Sequence, residues 1–576
     1  MALPSSPFLS RLRTDFLPST AEKLEIHQLI STRQARIQVI ADEIARLRAE
    51  QDELQSFIDD HLKLVSPIRQ VPADVLREIF HCCIPGHELP TPSALDAPLL
   101  FTAVCRLWRQ VAVATPRLWN RVHIALPSPT NRYSFITPKF RSFMHFWGEG
   151  VQTWLQRSGS MPLLLSISSR DPDHLDIEGC TELDTLHGNV AQQLLPFASR
   201  WKSLSLDVSD GVREILTMTT VELSSLEELK SRRWDPYSGQ ESPVELSLKT
   251  VLQSAPSLRK LYMNGPPLHL PIRWNCLTEL VIWHDWRGWG QSRGVTLSQA
   301  FQVLTFSCSS LRHCTLSISV QSLESDDTLD TFPPIVLPNL HTLNIYIDWC
   351  YLASLQRALD SVHAPRLADF YFSFQQHLDE HLNLLALFRF IERSGCTIRS
   401  LVLDLPLVHL TESLIDLLTS MPSLRQFRLL TPRYHGEVAV EWFLGLIHSL
   451  KPSPSNTNVL CPNIESFMFT ACSYSCAAPL LALAEARSAD SSAAQKLKRL
   501  QVGFERFAIE DAEIPLRLEA LQKGGMLVWW TMSPDSPRHP HQPDLDEYVH
   551  SAERWWPSSR RNSVRFTGSN FLDLEM

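Results

Sequence analysis

One short pattern constrains this chain more than any other feature: apolar-x-x-apolar-x-apolar returns eleven times between Trp201 and Val502, with Ser231 in the last apolar place of the second copy. The copies begin at Trp201, Leu226, Leu258, Leu277, Leu311, Leu340, Leu367, Ile398, Leu424, Ile464 and Leu497, about 30 residues apart on average, at the upper edge of the leucine-rich repeat range. Several follow a proline two residues earlier, as at Pro256, Pro338, Pro365 and Pro422. Strand alternation sends the first, fourth and sixth positions to a core and the third and fifth to the opposite face. Helical spacing fills the gaps, as in Leu352, Leu355, Leu359 and Val362, or Leu414, Leu417 and Leu418. Each unit therefore reads as a strand followed by a helix. The expected class is α+β multidomain, with an irregular α/β leucine-rich repeat solenoid over residues 161–525. The rival architecture is an ordinary α/β domain with several similar strands. The asparagine or cysteine that usually follows the strand is mostly missing, with Asn264 an exception, so irregular curvature is expected.

The fifth positions include Tyr262, Val281, Asn344, Tyr371, Val402, Arg428 and Met468, and one alternation step further lie Trp283, Tyr346 and Asp404. Tryptophan, tyrosine and arginine supply the strongest interface anchors. Candidates for recognising a protein cargo are thus Tyr262, Trp283, Trp286, Asn344, Tyr346, Tyr371, Asp404 and Arg428. Trp286 lies in a loop with three tryptophans, Trp283 to Gly290, which either meets a partner or folds back over the repeats.

Upstream, residues 21–65 contain no glycine or proline and carry apolar residues in heptad sets: Ile30, Ile37, Ile44 and Ile58, with Ile26, Ile40, Leu47 and Leu54. A coiled-coil helix is predicted, interrupted at Arg33 and Gln51. It either forms a homodimer or packs back on its own chain. Ser66-Pro67 ends it, and two or three short helices follow. Their apolar stripes are Val75, Leu76, Ile79 and Phe80, then Leu99, Leu100, Ala103, Val104, Leu107, Trp108, Val111 and Ala112.

These residues carry a resemblance. Ser66-Pro67-Ile68-x-x-Val71-Pro72-x-x-Val75-Leu76-x-Glu78-Ile79-Phe80, then Val104-Cys105-Arg106-x-Trp108-Arg109-x-Val111-Ala112 and Thr115-Pro116-x-Leu118-Trp119, is similar to the F-box-like proteins abundant in mushroom-forming fungi. The likeness covers about sixty residues, 66–125, includes the preceding coiled coil, and extends loosely to Trp154–Leu163. It implies a small helical unit that docks on a Skp-type adaptor, which binds a cullin scaffold carrying the ubiquitin-transfer machinery. Val71, Pro72, Leu76, Ile79, Phe80, Val104, Trp108 and Val111 would then bury against one another or against the adaptor. The expected function is substrate recognition for a ubiquitin ligase, with an unidentified protein as cargo. A ligase-independent scaffold is the alternative.

Composition narrows the other classes. A net charge of -9 offers no basic face for nucleic acid. Nineteen glycines against 39 prolines do not suit a glycine-looped nucleotide site, and no cofactor is expected. Twelve scattered cysteines without an Asn-x-Ser/Thr sequon suit a reducing intracellular compartment, cytoplasm or nucleus. No apolar run approaches about 18 residues, so no membrane span is expected. One string fits a catalytic motif: His377-Leu378-Asp379-Glu380-His381 has the H-x-x-E-H order of inverted zinc peptidases. It falls in the helical half of a repeat, where a solvated polar face is expected, so a zinc peptidase is kept only as a remote alternative and neither metal nor enzyme activity is assigned. Residues 1–20 and 526–576 are expected to be mostly disordered, and 126–160 to be a linker.

Overall fold

The computed structural model describes residues 6–531 except for short internal segments, the longer being 232–242, 284–294, 320–331, 375–383, 431–439 and 505–512. The chain divides into two compact units, 1–79 and 80–576.

The first unit is dominated by one helix, α1 (Thr20–Val65, 46 residues). Its start is fixed by a capping box: the Ser19 hydroxyl accepts from the Glu22 amide while the Glu22 carboxylate accepts from the Ser19 amide. Arg11, the last residue of a short 3-10 turn (Leu9–Arg11), pairs with Glu22 at 2.9 Å. The helix stops where Pro67 removes an amide donor, and a 3-10 turn (Pro67–Gln70) leads to α2 (Ala73–Cys82). No described residue of α1 is buried.

The second unit opens with α3 (Leu99–Val104) and α4 (Arg106–Val113). Among the described residues a parallel sheet of fourteen strands follows, in which each strand lies beside the next of the fourteen in chain order. The strands are β1 (Arg121–Leu126), β2 (Leu163–Ser169), β3 (Trp201–Asp207), β4 (Glu228–Ser231), β5 (Lys260–Asn264), β6 (Glu279–Trp283), β7 (His313–Ser319), β9 (Thr342–Trp349), β11 (Asp369–Phe374), β12 (Ser400–Asp404), β13 (Gln426–Leu430), β14 (Ser466–Cys472), β15 (Arg499–Phe504) and β16 (Leu527–Thr531). Two short strands, β8 (Ile335–Val336) and β10 (Val362–His363), pair separately. Helices occupy the crossovers: α5 (Pro138–Arg157), α6 (Ile177–Gln192), α7 (Asp210–Thr217), α8 (Pro243–Ser254), α9 (Leu297–Ser307), α10 (Leu352–Ser361), α11 (Leu385–Ser394), α12 (Ser413–Thr419), α13 (Val440–Leu450), α14 (Ala477–Ala486) and α15 (Glu513–Lys523). Consecutive helices pack on one another, as α5 on α6, α6 on α7 and α10 on α11. Right-handed crossovers between sequential parallel strands place such helices on one side of the sheet.

All eleven copies of the pattern become strands, and all but the first strand begin two residues after the leading apolar residue. The first, fourth and sixth positions are buried throughout, as Leu367, Phe370 and Phe372 illustrate. The prolines before the pattern form turns: the amides of Leu258, Leu340, Leu367 and Leu424 donate to the carbonyls of Ala255, Leu337, Ala364 and Met421 at 3.1–3.3 Å. Proline at the second turn position supplies the required φ. The chain then joins its neighbour before the strand proper, with Arg312 donating to Thr278, His341 to Arg312 and Arg425 to Arg399, each at 2.8 Å.

The sheet exceeds its expected bounds at both ends. It begins at β1, and α5 fills the stretch read as a linker, burying Met144, Trp147, Val151, Trp154 and Leu155. It ends at β16, just beyond residue 525. At the β1 edge the Pro90 carbonyl accepts from the His123 amide at 2.9 Å, and the Gly86 carbonyl accepts from the Arg121 guanidinium at 3.0 Å. These contacts cover part of an edge that would otherwise template further pairing. Near the other end Arg487 is buried, donating to the carbonyls of Leu450, Leu460 and Cys461. Burial lowers its pKa to about 10, which leaves it charged at neutral pH.

Candidate interaction surfaces

The short helices sort their apolar residues into two sets. On α2, Leu76 and Phe80 are one turn apart and fully buried. Phe80 stacks on Phe101 with ring centroids 4.3 Å apart and meets the edge of Trp108 at 4.9 Å. Val111 and Ala112 are buried on α4, and the Trp119 indole donates to the Ala112 carbonyl at 2.8 Å. Trp119 also meets Trp154 edge-on at 5.0 Å, under the Arg157 guanidinium. The Cys105 sulfur caps α4 by accepting from the Trp108 amide. The other set faces water: Val75 and Ile79 on α2, and Leu100, Val104 and Leu107 on α3 and α4.

Of the eight residues predicted for this unit, Leu76, Phe80 and Val111 are buried, Val71 and Trp108 half-buried, and Pro72, Ile79 and Val104 exposed. Val75, Leu100 and Leu107, which are not among those eight, join the exposed set. Their helical spacing is visible in the sequence, but periodicity shows that a stripe is apolar and not which neighbour covers it.

The sheet face away from the helices is ordered in rows, because the parallel register carries one residue of each strand into line. One row runs His123, Ser166, Ser205, Lys230, Tyr262 and Val281, continues through Thr315 and Asn344 to Tyr371, then Val402, Arg428 and Met468, and ends at Gln501 and Trp529. Strands are spaced about 4.8 Å apart, so adjacent side chains in a row are near neighbours. Four of the predicted cargo residues, Tyr262, Asn344, Tyr371 and Arg428, share this row. Tyr346 and Asp404 lie in the next one. Trp283 is the last residue of β6, opposite Asn264, and Trp286 lies outside the described residues.

The face has two contrasting parts. Across β4 to β6, Glu228, Lys260 and Glu279 alternate in charge. Lys230 pairs with Glu228 and Lys260 with Glu279, each at 3.0 Å. Lys230 also sits 4.7 Å above the buried Tyr262 ring. Burial, then Glu279 and Glu228, push the Tyr262 phenol far up. Burial raises the Glu228 pKa, but Lys230, Ser203 and Lys260 outweigh it and hold the carboxyl below its usual range. Across β9 to β14 the face carries an apolar cluster, with Tyr346, Tyr371, Leu430 and Met468 packed against Val402 among the polar Asn344, Asp404 and Arg428. The two tyrosine rings are 4.5 Å apart. Asp404 accepts from Ser373 at 3.0 Å and from the Tyr371 hydroxyl at 3.4 Å. Burial, followed by Tyr346 and Asp404, raises the Tyr371 pKa. The tyrosines thus present ring faces within a packed layer rather than projecting as free anchors. The charged third-position residues are not among the sequence candidates, although the same alternation assigns them to this face.

At the β1 end His123 bonds Ser166 through Nδ1 at 3.0 Å and meets Ser168 through Nε2 at 3.4 Å. Burial lowers its pKa, and Asp207 works the other way. The His377 to His381 string lies outside the described residues. Among the described residues no three His, Cys, Asp or Glu side chains gather at metal-holding distance, and no helix is long and apolar enough to cross a membrane. No family model matches the chain, and neither does any curated protein.

Proposed function

We propose that this chain is an F-box-like receptor: the short helices dock a Skp-type adaptor linked to a cullin scaffold, and the sheet face holds a protein cargo for ubiquitin transfer. In this reading the long sheet with its crossover helices is an irregular leucine-rich repeat solenoid. The observation that carries the proposal is the sorting within the short helices. Phe80, Phe101 and Val111 are buried, while Leu100, Val104 and Leu107 remain exposed on α3 and α4. A small helical unit that keeps apolar residues in water while its core is already filled has a surface suited to a partner. Cargo would meet the sheet face, where a charged part and an aromatic part give two kinds of contact. The chain itself makes no bond in this reading.

The test is co-purification of the full chain with a Skp-type adaptor and a cullin. Wild type is expected to capture both. The double variant Val104→Asp, Leu107→Asp is expected to lose at least about tenfold in adaptor affinity, a change of about 1.4 kcal/mol. Its circular dichroism should be unchanged, because both residues are exposed. A wild-type chain that captures no adaptor ends the proposal. Capture of adaptor without cullin replaces the receptor with a ligase-independent scaffold.

A further inference from the structure

Over its whole length α1 carries an exposed apolar seam. Ile30, Ile37, Ile40, Ile44, Leu47, Leu54 and Ile58 are 44–66% exposed. Their heptad spacing is the repeat of a helix wound on another helix. The two polar interruptions, Arg33 and Gln51, determine which partner and which direction fit.

We infer that α1 pairs with α1 of a second copy, antiparallel, in the register centred on the level of Asp42. In that register Ile30 faces Leu54 of the second copy, Ile37 faces Leu47, Ile44 faces Ile40, and Ile58 faces Ile26. Arg33 then falls opposite Gln51, so both polar interruptions share a layer, once on each side of the two-fold axis. A shift of one heptad either way puts Arg33 and Gln51 against isoleucines. A parallel, unstaggered pair puts Arg33 against Arg33, setting like charges inside the seam. Asp42 lies at the middle of the helix, so the favoured register also overlaps the two helices along nearly their full length, about 70 Å.

The flanks agree with this arrangement. Arg36 comes beside Glu50 of the second copy, and Leu29 beside Phe57. Ala41 meets Ala41 at the axis, where small side chains let the helices approach. Glu43 meets its own counterpart, but Arg46 of the same helix already pairs with it at 2.8 Å. A parallel pair would gain Glu43 beside Arg48 instead, an equivalent flank contact, so the seam layer decides. The contact is isologous and closes at two copies. It is independent of the receptor reading, because no residue of the adaptor or cargo surfaces takes part.

The test uses the full chain. Light scattering is expected to give twice 65.6 kDa, and the variant Ile44→Glu, altered at an exposed position, is expected to give 65.6 kDa with its helix content retained. In the double variant Ile37→Cys, Leu47→Cys, oxidation followed by peptide mapping is expected to find a disulfide that joins position 37 of one copy to position 47 of the other. The two positions are too far apart on one helix to join within a chain. A wild-type monomer, or an Ile44→Glu variant that remains dimeric, overturns the interface. A disulfide joining position 37 of one copy to position 37 of the other overturns the direction.

Discussion

His123 bonds two serines through its two ring nitrogens, in a layer of the sheet face that keeps most of the ring from water. The neutral ring suits that setting, and burial depresses the pKa in the folded chain below the unfolded value of 6.5. Between those two values the unfolded chain binds more protons, so stability rises with pH there. The contribution of His123 is therefore full above 6.5 and is lost as pH falls through the lower folded value. Urea midpoints measured from about pH 7.5 down to about 5 should fall, and His123→Gln should flatten that decline, which is limited to about 1.4 kcal/mol per pH unit for one group. An unchanged slope in the variant would assign the decline to another group. None of this is legible in the sequence. His123 lies in a strand outside the eleven copies, and its serine partners are more than forty residues away in the chain.

The turn before each strand combines two residues with different roles. In Ala364-Pro365-Arg366-Leu367 the proline restricts the unfolded chain, while the leucine fills the core. Pro365→Ala should lower stability by about 0.4–1 kcal/mol, and Leu367→Ala by about 2–5 kcal/mol. Urea denaturation distinguishes them, and equal losses would contradict this division. The same division explains which strands can be read from the sequence. The eleven copies are visible because an apolar residue leads each one. The first and last strands are harder for definite reasons: Pro162 and Gly525 stand at the leading positions of β2 and β16. β1 does carry the spacing, as Trp119, Val122 and Ile124, but it lies directly after the helical motif, which masks it. Among the short helices the apolar stripes are plain, whereas the division of Leu76 from Ile79 depends on the second layer of packing. On the sheet face alternation identifies the side, and parallel register brings Tyr346, Tyr371 and Met468 together from strands far apart in sequence.

At the scale of the molecule, each described strand of the long sheet pairs with the strands of that sheet before and after it in the chain, the additions being one parallel bridge from Val295 to Ile318 of β7 and the separate β8–β10 ladder. Stability in such an array is approximately a sum over units and their shared boundaries. A chain ended at residue 511, without α15 and β16, should stay folded. Hydrogen exchange should quicken in β14 and β15 and remain unchanged in β5 to β13; global loss of protection would mean that the sheet behaves as one block. The same order bears on how the molecule is made. During synthesis β1 leaves the ribosome first, with Pro90 and Gly86 already available to cover its outer edge. Each later strand has its docking site before it emerges. At every moment one growing edge is open, so the hazard of mispairing moves along the nascent chain with it.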